Sequence, residues 1–139
     1  EGSGYYFGKM FLSEFLNGSF DDKTTQLISE RLGNRAEVLK NVYGENSKDY
    51  ISSMSFVASE LKSITAEVRR IHEENITVFV EKFVQKNAIF NTCVSFVGSY
   101  AFYNQGVLYE ILKKFNYSLK ETLQFPIDSL TDYIEKKTF

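Results

Sequence analysis

Twenty-three consecutive residues, NAIFNTCVSFVGSYAFYNQGVLY at 87–109, carry no charged side chain, although Asp, Glu, Lys and Arg make up 24% of the 139-residue chain. A membrane-spanning helix needs about 20 predominantly apolar residues. Asn87, Asn91, Thr92, Ser95, Ser99, Asn104 and Gln105 make this stretch too polar to span comfortably. Drawn as a helix, it puts Ala88, Ile89, Phe90, Cys93, Val94, Phe96, Val97, Tyr100, Ala101 and Phe102 on every side. A helix that is apolar all round is buried all round, and Ser95, Gly98, Ser99 and Ala101 are small enough to let neighbours approach closely. The stretch is therefore expected to be the central helix of a globular bundle.

The flanking sequence supplies amphipathic helices to wrap it. Phe7, Phe11 and Phe15 recur at i, i+4, with Leu12 and Leu16 beside them and Gly18 at the end, which predicts a helix over 4–17. Asp21 or Asp22 can cap a second helix carrying Leu27, Ile28, Leu32, Leu39 and Val42, which ends near Tyr43-Gly44-Glu45-Asn46. From Ser47 onward, Met54, Val57, Leu61, Ile64, Val68 and Ile71 repeat by threes and fours. Such a seam serves a bundle or a coiled coil equally. Ile76, Phe79, Val80, Phe83 and Val84 continue the pattern past Asn75. Beyond the uncharged stretch, Leu108, Ile111, Leu112, Phe115, Leu119 and Leu123 keep helical spacing, and Pro126 opens a short last helix. With no period-two run in view, the expectation is an all-α fold in a single domain, 1–139, of about seven helices.

Chemistry is sparse. The only histidine, His72, lies in RRIHEEN and is expected at the surface; no second His or further Cys completes a usual metal site. No Gly-rich phosphate loop and no nucleophile motif occurs, so no catalytic or metal-ligating residue, no cofactor and no enzymatic activity are expected. Cys93 reads as a core filler in a reducing compartment. Asn17, Asn75 and Asn116 head glycosylation sequons that are silent in a cytosolic protein. A net charge of −2 and a pI near 5.5 argue against a nucleic-acid partner. The chain opens on Glu1 with nothing resembling a signal peptide, and a tail beyond Phe139 is left open.

Residues 77–134 resemble the Bcl-2 family of apoptosis regulators. TVFVEKFVQKNAIFNTCVSF is similar to that family's amphipathic helix, turn and apolar helix. Phe90 stands at its Trp, Asn91-Thr92 at its Gly-Arg, and Cys93-Val94-Ser95-Phe96 at its Ile-Val-Ala-Phe. Leu123-Gln124, Phe125-Pro126, Ile127-Asp128 and SLTDYI are similar to its second homology segment, with a shortened turn. The resemblance implies a pro-survival protein, of viral type, that binds the BH3 helix of pro-apoptotic partners in a hydrophobic groove. Phe79 and Phe83 would line one wall and Leu39 and Tyr43 the other, with Val94 in the floor and Asn91 and Thr92 toward the ligand's polar side. Lys82, Lys86, Arg69 or Arg70 would replace the family's arginine. It also implies a cytoplasmic location, at the mitochondrial outer membrane of a host cell through a C-terminal tail, and a homodimer that could occlude the groove. Two alternatives stay open: a helical scaffold dimerising through the 54–71 seam, and a globin-like haem carrier with His72 as proximal ligand.

Overall fold

Ser3 sets the first helix in motion. Its backbone is extended, and its hydroxyl accepts from the Tyr6 amide at 3.1 Å, the geometry of an N-cap. In the computed structural model, which describes residues 1–87 and 92–138, the helix so capped is α1, Gly4–Asn17. Gly18 ends it in the left-handed conformation (φ 68°), and the Ser19 amide reaches back to the Glu14 carbonyl at 2.9 Å. Phe7, Phe11, Leu12 and Phe15 are buried along one face, as their spacing predicts.

The chain divides into two compact units, Glu1–Val78 and Phe79–Phe139. The first is helical. The helix expected from Asp21 to Tyr43 is two: α2, Asp22–Leu32, and α3, Arg35–Val42. Between them Asn34 and Glu37 form a reciprocal cap. The Asn34 side chain accepts from the Glu37 amide at 3.0 Å, and the Glu37 carboxylate accepts from the Asn34 amide at 2.7 Å. This start signal outranks a periodicity that runs through it. Helix α4, Ser47–Leu61, packs on α1, and Gly8 permits the approach: a Cβ there would lie 2.8 Å from the Ile51 carbonyl carbon.

The seam over 54–71 is not one helix. It breaks at 62–65, and Thr65 restarts the chain into α5, Ala66–Phe79, by accepting from the Val68 amide at 3.3 Å. Met54, Leu61, Val68 and Ile71 are buried in the unit, whereas Ile64 lies in the turn, 51% exposed. The seam is thus spent on the chain's own core. That corrects the scaffold alternative, which needed those side chains free for a partner.

The second unit departs further. Helix α5 passes into a π-helical stretch, Val80–Val84, and a last turn α6, Gln85–Asn87. Residues 88–91, where the expected central helix begins, lie outside the described residues. Past them the chain forms strand β1, Cys93–Val97, then α7, Ser99–Tyr103, α8, Gln105–Lys114, strand β2, Ser118–Leu123, and α9, Pro126–Thr138. The strands pair in parallel, from Cys93 opposite Ser118 to Val97 opposite Leu123, and the register shifts between Val94 and Ser95. Helix α8 buries Val107, Leu108, Ile111 and Leu112. It stops because Asn116 takes a left-handed conformation (φ 62°), with the Tyr117 amide bonded to the Leu112 carbonyl at 3.0 Å.

These strands overturn the all-α expectation and the Bcl-2-like bundle with it, since the described part of the proposed central helix from Cys93 onward is a strand, a glycine turn, a short helix and the start of α8. Cys93 is exposed on β1, not a core filler. Among the described residues, no helix is long and apolar enough to cross a membrane.

Candidate functional site

Strand β1 ends at Val97, and Gly98 turns the chain into α7. Gly98 has φ 126° and ψ 152°, a region essentially reserved for glycine. Two hydrogen bonds hold it there. Its amide donates to the Leu123 carbonyl at the end of β2 (2.8 Å), and its carbonyl accepts from the Phe102 amide (3.0 Å). Nothing lies within 4 Å of the place a Cβ would occupy, so the turn presents open backbone rather than a packed corner. In open α/β sheets, ligands settle outside the carboxyl ends of parallel strands, and a glycine there lets a ligand come close to main-chain amides.

Polar side chains brace the same end. Thr122 donates to Gln105 Oε1 (3.1 Å) and Gln124 Nε2 to the Tyr103 hydroxyl (3.0 Å), while buried Asn104 donates to the Tyr100 carbonyl (2.8 Å). No charged residue occurs between 87 and 109. The turn itself therefore offers backbone amides, hydroxyls and aromatic edges.

The groove residues inferred from the Bcl-2 resemblance fall on several different elements. Phe79 stands 5.2 Å from Phe83 and 6.0 Å from Phe96 of β1, between ring centroids. Phe83 is 46% exposed. Val94 is half-buried on a strand, not the floor of a helix. Thr92 precedes β1 and its carbonyl accepts from the Ser118 amide at 3.2 Å. Asn91 lies outside the described residues. Leu39 and Tyr43 belong to the first unit, at the end of α3, where Tyr43 is 84% exposed. Within the second unit, Phe79 and Phe83 are brought together. The strand takes the place of the helix on which the groove depended.

His72 also stands corrected. It is fully buried, not solvated, and its ring stacks on Phe7 with centroids 4.0 Å apart and planes 12° apart. Burial chiefly, with nearby Lys62, lowers its pKa from 6.5 to about 3 against a hydrogen bond to Ala58. A ring packed this way is core, which removes the proximal ligand that a haem carrier needed. One turn along α5, fully buried Asn75 clamps the start of the chain. Its Oδ1 accepts from the Gly2 amide (2.8 Å) and its Nδ2 donates to the Ser3 carbonyl (3.1 Å). Asn75→Ala is expected to cost about 1–3 kcal/mol in urea denaturation, because it empties a buried site and takes the acceptor from the Gly2 amide, whereas the Ser3 carbonyl keeps the Phe7 amide at 3.0 Å. Nearby carboxylates are engaged: Glu14 accepts twice from Arg70 (2.6 and 2.8 Å), and Arg69 pairs with Glu73 (2.9 Å).

No protein-family model matches the chain, and no curated protein matches it. Among solved structures, all of the chain superposes on 50% of the crystal structure of the "putative N-acetylglucosamine kinase" of Porphyromonas gingivalis, with a TM-score of 0.84 and 23% sequence identity. That likeness establishes an α/β fold shared with that protein and replaces the Bcl-2 assignment, together with the apoptotic role drawn from it. It also withdraws the expectation that the chain is not an enzyme, since the fold is one found in a protein described as a kinase. The chain spans about half the length of that protein.

Proposed function

We propose that this chain is half of a kinase that transfers a phosphoryl group from a nucleoside triphosphate to an N-acetylated amino sugar, with the Gly98 turn on the nucleotide side. The observation that carries the reading is the superposition of the whole chain on the Porphyromonas protein at a TM-score of 0.84. The site supports it in kind. Phosphoryl transfer depends mostly on positioning and electrostatic stabilisation, and a strand–glycine–helix turn offers amides at the end of a parallel strand. Residues 87–109, uncharged as they are, suit the base and ribose of a nucleotide better than they suit proton abstraction.

The test is ADP release from ATP by the protein carrying this chain, with N-acetylglucosamine, with glucose and with no sugar. Release that depends on N-acetylglucosamine is expected. Gly98→Val should raise KM for ATP about 10-fold or more and leave KM for the sugar unchanged. The strain of a side chain at this φ, on the order of 1–3 kcal/mol, distorts the turn without a steric clash. Absence of sugar-dependent release, together with no ATP binding by calorimetry, would sink the reading.

A further inference from the structure

Most of the large apolar side chains left exposed among the described residues belong to the second unit, and α9 concentrates them. Ile127, Leu130 and Ile134 fall at i, i+3 and i+7 on one face of that helix, with Tyr133 beside them, and they are 68, 56, 54 and 54% exposed. A surface helix normally turns such a stripe toward a core, and an exposed apolar patch of this kind marks an interaction surface. The sheet makes the same point independently. Strand β1 of the two-stranded parallel sheet turns Cys93, Ser95 and Val97 outward, yet parallel sheets are ordinarily covered on both faces and have more strands. The chain also accounts for only half of the protein it superposes on.

We propose that the Ile127–Leu130–Ile134 face of α9 seats the half of the kinase-like fold that this chain does not contain, a segment of about its own length translated in the same reading frame. The occupant is apolar where it meets α9, as the stripe requires. The inference rests on the fold likeness and not on phosphoryl transfer, so hydrogen exchange at α9 tests this one and nucleotide titration tests the other.

The experiment compares backbone hydrogen exchange in the 139-residue chain alone and in the protein translated from its complete reading frame. The α9 amides should exchange roughly 100-fold more slowly in the longer protein. A Leu130→Glu, Ile134→Glu double variant should return them to the rate of the isolated chain, with α8 and β1 amides unchanged as the sign that the fold persists. Four results would overturn the proposal: a reading frame that adds no such half, equal rates in the two proteins, α9 already protected in a monomeric isolated chain, or a dimer of the isolated chain that the double variant disperses. The last would make a second copy the occupant.

Discussion

Gly8→Ala is expected to destabilise the first unit by about 3 kcal/mol, at the upper end of what overpacking a core usually costs. Helix propensity alone gives the opposite sign, because Ala in place of a mid-helix Gly gains roughly 0.5–1 kcal/mol. Packing decides between them. The added methyl would fall 2.8 Å from the Ile51 carbonyl carbon and 3.0 Å from its Cγ2. The obstruction is the backbone of α4 and not the end of a flexible side chain, so relief means prising α1 from α4. Gly106, at the head of α8, is the contrasting case: nothing lies within 4 Å of its Cβ position, and Gly106→Ala should leave stability unchanged or slightly raised. Urea denaturation followed by far-UV circular dichroism reads both. A Gly8→Ala protein as stable as wild type would mean that the helices part more easily than their contact implies.

The second large effect is acid sensitivity traced to His72. A pKa near 3 in the folded chain against 6.5 when exposed means that protons bind the unfolded form more readily. The stability held by the neutral ring is complete above pH 6.5 and is lost as pH falls toward 3. The slope approaches roughly 1.4 kcal/mol per pH unit over that interval. Carboxylates titrate mostly at the lower end, so loss between pH 6.5 and 5 isolates the imidazole. The check is the urea midpoint at pH 7, 6 and 5, for wild type and for His72→Leu, which keeps an apolar group against Phe7. A steep wild-type dependence and a shallow variant are expected. Equal slopes would place the acid sensitivity elsewhere.

Much of the first unit was legible. The Phe7–Phe11–Phe15 stripe and Gly18 delimit α1 because both the periodicity and the cap are local, and local signals survive folding intact. Asn34 and Glu37 were equally available, as Asn-x-x-Glu, and Gly33 and Asn34 visibly interrupt the apolar face, but the spacing on either side reads as one helix. His72 was misjudged because its neighbours in sequence, Arg69, Arg70, Glu73 and Glu74, are charged. On a helix these lie around the cylinder, and the one face His72 occupies meets Phe7, 65 positions earlier. The Gly98 turn lay in plain sight as Phe-Val-Gly-Ser, but its meaning depends on β1 being a strand.

What the sequence determined by itself is local: caps, turns, and the buried stripes of α1 and α8. What only the tertiary structure decided is whether the uncharged segment is a helix or a strand. Five residues, Cys93 to Val97, mostly apolar and free of charge, carry too short a pattern to choose. Their hydrogen bonds are completed by Ser118–Leu123, beginning 25 positions later, across two helices whose own residues say nothing about the pairing. Parallel strands have no hairpin to announce them, and so their register appears only when the chain has folded back.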